Sequence, residues 1–256
     1  MPQHATKAWY IERTHLLQKL NEADLALFQG QGSIISLAKG DSIDPSLQKQ
    51  GCVYLISEGF AKLVTLSPEG KRFSLAILNT GDFMGTVLGN ANDANNEGSD
   101  TEPEEFLEAM APCQLLRVSN ECFRLVLENN PTLFMTVLQN IQGKTRLLQR
   151  KLSDLLFKDV HARIAQLFLD LMFIHGEECP YAFGLTRDLC LRHHEIAELI
   201  GASRPVTSSA LSDFAKADLI HKHDGLICLN NMEAIHRVAE DGFKGLLSLN
   251  VKVSSI

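Results

Sequence analysis

LRHHEIAELIGASRPVTSSALSDFAKADLI, residues 191–220, decides how the C-terminal part of the chain folds. Leu191 to Gly201 has the apolar spacing of a short helix closed by a glycine, and Ala202-Ser203 then makes a tight turn. Pro205 suits the first position of a second helix that runs to about Ala217. Ile196, Ala197 and Ile200 would pack against Val206, Leu211 and Phe214, crossing the two helices at an angle. That is the helix-turn-helix layout, whose second helix enters the major groove of DNA. Leu219-Ile220 opens a hairpin formed by His221-Lys222-His223, an Asp224-Gly225 turn and Leu226 to Leu229. Asp-Gly between apolar runs is a strong two-residue turn signal. Two short helices followed by a hairpin make a winged helix-turn-helix.

Working outward, an amphipathic helix is expected over Ile164–Ile174, with Leu167, Leu169, Leu171 and Met172 apolar and Gly176 to Pro180 ending it. Before it, Pro131 starts a long helix reaching about Lys158. Phe134, Leu138, Ile141, Leu148, Leu152 and Leu155 recur on it at alternating four-three spacing, with only Thr145 polar in the seam. Such a seam fits a two-stranded coiled coil and a homodimer. Periodicity alone fits a helix buried against its own domain equally well. Ser119 or Asn120 caps a shorter segment that ends at Asn129-Asn130.

The N-terminal part reads differently. Thr14 is a potential cap for a helix over residues 13–28, with Leu16, Leu17, Leu20, Leu25 and Leu27 at helical spacing. After Gly30 and Gly32 come short apolar runs at Ser33–Leu37, Val53–Ile56, Phe60–Leu66, Phe73–Leu78, Phe106–Met110 and Gln114–Val118. Turn residues bound each run, as in a β-sandwich or small roll, and Ser67-Pro68-Glu69-Gly70 is a hairpin signal. The fold class is therefore α+β.

Composition narrows the function. With 256 residues, 45% of them hydrophobic, the chain can bury one large core or two ordinary ones. No apolar run approaches the roughly 20 residues that span a bilayer, and Met1 to Tyr10 carries no apolar signal core, which points to the cytoplasm. The six cysteines, Cys52, Cys113, Cys122, Cys179, Cys190 and Cys228, form no C-x-x-C pair and suit a reducing compartment. A net charge of −7 argues against nucleic acid only until its location is considered. Asp93, Glu97, Asp100, Glu102, Glu104 and Glu105 lie in one stretch without Lys or Arg and account for all but one of those excess charges. GNANDANNEGSDTEPEE reads as a long solvated loop, so the global charge says little about any single face.

Three stretches in order, VYLISEGFAKLVTLSPEGKRFSLAILNTGDFMG, NPTLFMTVLQNIQGKTRLLQRKLSDLLFKDVHARIAQLFLDL and HEIAELIGASRPVTSSALSDFAKADLI, resemble the cyclic-AMP receptor protein/fumarate–nitrate regulator (Crp/Fnr) family of bacterial transcription factors. The likeness runs from about Leu16 to Ala234. It implies a cyclic-nucleotide-binding-like β-roll (jelly roll) in a sensor domain over 1–130. It also implies a dimerisation helix over 131–158 and a winged helix-turn-helix DNA-binding domain over 159–256. The resemblance favours the dimer over the self-buried helix. It further implies double-stranded DNA with a palindromic operator as partner, RNA polymerase as a second partner, an activator role among the family's roles, and no enzymatic activity.

The sequence also departs from that family. Where cyclic-AMP-binding members have Gly-Glu for the ribose, Gly85 is followed by Thr86. Where they have an arginine for the cyclic phosphate, Pro103-Glu104 stands, and a carboxylate there repels the anion. The polar pair that contacts the purine aligns with Leu148-Gln149. Cyclic AMP is therefore not expected to bind. Residues 1–51 contain no cysteine, which argues against an iron–sulfur cluster of the oxygen-sensing kind. Haem needs only one axial ligand, and His15, Met84 and Met110 offer one, so a haem-, gas- or other small-molecule-responsive sensor is the alternative. A cupin-type enzyme would need histidines in the β-roll, and none occurs between residues 30 and 118. No motif assigns an effector.

On the DNA-reading surface, Arg204 aligns with the family arginine that reads guanine O6 and N7, the commonest specific base contact. Ser203 resembles the family's phosphate contact, and its hydroxyl could cap the helix. The family's Glu and second Arg are replaced by Pro205 and Ser209, so the half-site should differ from those of familiar members. Thr207, Ser208 and Ser209 are short enough to reach DNA only at close approach. Arg192, His193 and His194 open the first helix of the motif and suit a phosphate at its N-terminus. A zinc site from Cys190, His193 and His194 matches no strong ligand spacing, so no metal is expected. His221, Lys222 and His223 in the wing fit a phosphate contact or a solvated strand.

Overall fold

Turn residues set where the strands end. The structure, a computed structural model, describes residues 16–43, 51–85, 105–177, 185–186, 191–223 and 226–243. Thr14, His15, Thr86, Pro103-Glu104, the acidic run up to Glu104, Cys179, Cys190 and the Asp224-Gly225 turn lie outside them. The chain divides into two units inside its longest helix, one over Ile11–Leu148 and the other over Gln149–Ile256.

In the first unit, a short 3-10 turn at Leu16–Lys19 precedes α1 (Glu22–Gln31). The single helix expected over 13–28 is thus two pieces. Asn21 separates them, because it forms a capping box with Asp24: its side chain accepts from Asp24 N at 2.8 Å and its own N–H donates back at 3.2 Å. The helix then runs past Gly30 to Gln31.

The strands are β1 (Ser33–Leu37), β2 (Ser42–Ile43), β3 (Cys52–Glu58), β4 (Phe60–Leu66), β5 (Arg72–Asn79), β6 (Phe83–Met84), β7 (Glu105–Ala109) and β8 (Cys113–Ser119). They form two four-stranded antiparallel sheets, β1-β8-β3-β6 and β2-β7-β4-β5. Each expected apolar run is a strand to within a residue or two. Leu66 pairs with Arg72 across the expected hairpin, where Ser67 N donates to Lys71 O at 2.9 Å and Gly70 takes φ +76°. This is the β-roll of the α+β class.

Ser119 caps α2 (Asn120–Asn129) through a bond from Cys122 N, and Pro131 opens α3 (Pro131–Phe157). Val53, Leu55, Phe83 and Val118 of the roll pack with Phe123 and Val126 of α2 and Leu133 and Val137 of α3 in one core. Phe28 of α1 stacks on Phe123 at 5.8 Å. Asp82 ties the β5–β6 turn to α3: Asn79 N donates to one carboxylate oxygen at 2.8 Å and Asn140 Nδ2 to the other at 3.0 Å. Burial outweighs these donors and pushes the Asp82 pKa up to about 6. Beside it Lys144 Nζ donates to Phe83 O and lies 4.0 Å over the Phe83 ring, its pKa drawn down by burial to about 8.

While Leu133 and Val137 face the roll, an adjoining flank of α3, about 100° round the helix, is apolar and exposed. Phe134, Leu138, Ile141, Leu148 and Leu152 all lie on it. Leu155 departs from the expected seam: it is half-buried, and Leu156, 67% exposed, stands outward in its place.

The second unit contains α4 (Val160–His175), β9 (Gly176–Glu177), β10 (Leu185–Thr186), α5 (His193–Ile200), α6 (Arg204–Lys216), β11 (Ile220–His223), β12 (Leu226–Leu229) and α7 (Met232–Asp241). Helix α4 starts earlier than expected because Asp159 Oδ1 accepts from Ala162 N at 2.8 Å and caps it. The wing hairpin β11–β12 belongs to a third antiparallel sheet, ordered β11-β12-β10-β9.

Candidate nucleic-acid interface

The helix-turn-helix is held from behind by α4. Gly201 ends α5 in the left-handed conformation, φ +64°, and Ala202 N donates to Ala197 O at 3.0 Å. Arg163 of α4 donates through Nη1 to Ile200 O at 2.7 Å and Gly201 O at 3.3 Å, satisfying carbonyls that the helix end leaves unpaired. His161, two residues earlier, reaches Asp213 of α6 at 3.2 Å and stacks on Phe214 and Phe243. One turn of α4 thereby fixes both helices of the motif.

Helix α6 begins at Arg204, directly after Ser203, with Pro205 in its first turn. Ser203 does not cap it through its side chain. Its backbone carbonyl instead accepts from Thr207 N and Thr207 Oγ1, both at 3.0 Å. Thr207, Ala210, Leu211 and Phe214 are buried. Thr207, expected as a DNA contact, is fully enclosed, and its hydroxyl is turned back onto its own helix. Val206, expected between the helices, is 49% exposed. The two neighbours have exchanged roles. Helical periodicity counted back from Phe214 through Leu211 and Ala210 lands on Thr207 and would have found this.

Ser203, Arg204, Pro205 and Ser209 are exposed, as are Arg192 and His194 at the start of α5. Arg192 N donates to Glu195 Oε2 at 2.6 Å, which fixes that helix start. His193 and Ser208 are half-buried, and the structure brings them together at 2.8 Å between Nδ1 and Oγ. In the wing, His221 is exposed near Asp218 and Asn230, at 3.9 and 3.4 Å. The side chains of Lys222 and His223 lie outside the described residues. Met84 and Met110, named for haem, are buried in the roll. Among the described residues no helix is long and apolar enough to cross a membrane.

The profile described as the Crp-like helix-turn-helix domain matches residues 162–238, from within α4 to within α7. A CRP-like cAMP-activated global transcriptional regulator of Mycobacterium tuberculosis is 24% identical over 90% of this chain and 98% of its own. Residues 162–238 are thus a Crp-like helix-turn-helix domain, and the chain resembles regulators of the Crp/Fnr type. A second relative of this Crp/Fnr-type regulator is the cAMP-activated global transcriptional regulator CRP of Salmonella typhimurium, 26% identical over 69% of this chain and 79% of that protein. The fold of the regulator matches a mutant of CooA from Carboxydothermus hydrogenoformans with a TM-score of 0.70, at 21% identity over 91% of this chain and 99% of that one. A regulator of the Crp/Fnr family from Eubacterium rectale gives a TM-score of 0.64, at 17% identity over 88% and 98%. The Crp/Fnr-type regulator is thus a transcription regulator with a DNA-binding helix-turn-helix.

Proposed function

We propose that the regulator acts as a homodimer joined along α3 and reads a palindromic operator with the first turn of α6 from each subunit. The observation that carries this reading is the outward surface of α6: Arg204, Pro205, Val206 and Ser209 are exposed on a helix whose inner side is buried. Arg204 supplies a guanidinium fork for a guanine. Arg192 and His194 supply phosphate contacts that set the register, with Ser203 at the head of α6 beside them. The exposed apolar row on α3 supports the dimer, since monomeric proteins rarely leave a contiguous apolar surface in water. In a bacterial cytoplasm such a dimer would act with RNA polymerase at promoters.

We further propose that this dimer works without cyclic AMP, haem or an iron–sulfur cluster. The relatives named above are cAMP-activated. This chain carries Thr86, Pro103-Glu104 and Leu148-Gln149 at the three contact positions. Gly85 does not count for a nucleotide. It takes φ +122° with its Cβ position 2.4 Å from Cys52 O, so the backbone needs glycine there whatever binds. Two of the ligands considered for haem, Met84 and Met110, are core residues.

The test is selection of operators by the full-length protein from randomised DNA, with and without cyclic AMP, followed by calorimetry. A palindromic consensus unchanged by the nucleotide, and no heat of binding, is the expected result. Micromolar cyclic-AMP binding that raises DNA affinity would overturn the cyclic-AMP part.

A further inference from the structure

The first turn of α6 carries an apolar surface that the packing of the motif does not use. Thr207, Ala210, Leu211 and Phe214 supply the inward contacts. At about 100° per residue, Pro205 lies with Ser209, Ser212 and Lys216 on the face opposite that set, and Val206 lies on the adjoining flank. Pro205 and Val206 are exposed, whereas Ser209, Ser212 and Lys216 along the same face are polar. Val206 brings the helix nothing locally, because a β-branched residue is a weaker helix former than alanine or leucine. Half in water, it also forgoes the burial that would stabilise the fold.

The partner chemistry available to this surface is narrow. Phosphates and the polar base edges offer charge, donors and acceptors, and neither side chain can pair with any of them. Pressing a proline ring or a valine against those groups would desolvate them without compensation. The apolar group that the major groove presents is the 5-methyl of thymine. We infer that Pro205 and Val206 read a thymine methyl next to the base pair read by Arg204. Where an acidic and a basic side chain would read by hydrogen bonds, this chain has Pro205 and Ser209, so part of the recognition passes to apolar contact. The inference rests on the reading of α6 as the helix that enters the groove.

The experiment uses the full-length protein and an operator taken from the selection described above. Each thymine in a half-site is replaced in turn by uracil, which removes the methyl and leaves the pairing edge and the phosphates unchanged. One position per half-site is expected to lose about fourfold in affinity, the factor for one methyl-sized apolar contact. In Val206→Ser and Pro205→Ser that loss should shrink towards none, with the guanine preference at the Arg204 position and the affinity for random DNA retained. A wild-type protein indifferent to every thymine-to-uracil exchange overturns the inference, and so do variants that keep full discrimination. If the variants fold poorly, the wild-type uracil series still decides. Failure of the underlying reading looks different: no consensus emerges from the randomised pool at all.

Discussion

His193 Nδ1 lies 2.8 Å from Ser208 Oγ, so the first turn of α5 is hydrogen-bonded across to the second turn of α6. Read along the chain, the two residues are separate DNA contacts, but in space they are one unit. The bond holds the Ser208 hydroxyl and the His193 ring in one arrangement.

His193→Ala and Ser208→Ala should therefore couple. A double-mutant cycle on chemical unfolding is expected to give about 0.5–1.5 kcal/mol of interaction, the usual net value of such a bond. Strictly additive losses would mean that the pair does not form in solution. On DNA, His193→Ala should weaken specific and random sequences alike, as loss of a phosphate contact does.

Arg204→Ala should cost about 1–3 kcal/mol, concentrated at one base pair per half-site. The measurement is a binding series on single-substituted operators at fixed salt, because salt alone moves affinity by orders of magnitude. Half-site centres should lie about one turn of DNA apart. An equal loss on operator and random DNA would make Arg204 a phosphate contact.

Replacing Leu148 and Leu152 together with Glu places like charges in the exposed row of α3. Sedimentation is expected to show a monomer, with operator affinity lost in parallel. Neither side chain is buried within its own chain, so the roll and the helix-turn-helix should keep their unfolding transitions. A dimer that survives both substitutions would place the subunit contact elsewhere.

Lys151 is buried, and burial lowers its pKa from 10.5 to about 7. Because the folded value is depressed, its stabilising contribution is complete above 10.5 and is lost as pH falls through about 7. Lys151→Met removes this dependence. Urea midpoints of the variant should exceed those of the wild type near pH 6 and converge with them above pH 10.5. A constant difference across that range would show that Lys151 titrates normally in the folded protein.

The strands and several of the helix ends were legible in the sequence because each depends on a few adjacent residues. Ser67 to Gly70 makes its hairpin, Gly201 ends α5, and Pro205 sits in the first turn of α6. Steric limits on φ and local hydrogen bonds act within one turn, so they are written locally. The Asn21-Asp24 capping box is of the same kind, although the leucine spacing continues straight through it.

Which face of a helix turns inward was settled only by tertiary packing. Thr207 and Val206 are neighbours of similar size and branching, and chemistry alone favours the valine for the core. The grip of Arg163 and His161 on α5 and α6 fixes the roll of α6 about its axis, and that rotation buries the threonine and leaves the valine in water. A helix turns by about 100° from one residue to the next, so a small rotation set by distant contacts exchanges two adjacent side chains between core and surface. His193 and Ser208 met for the same reason. Their contact spans the turn between two helices and depends on the angle at which those helices cross, which no local run of residues specifies.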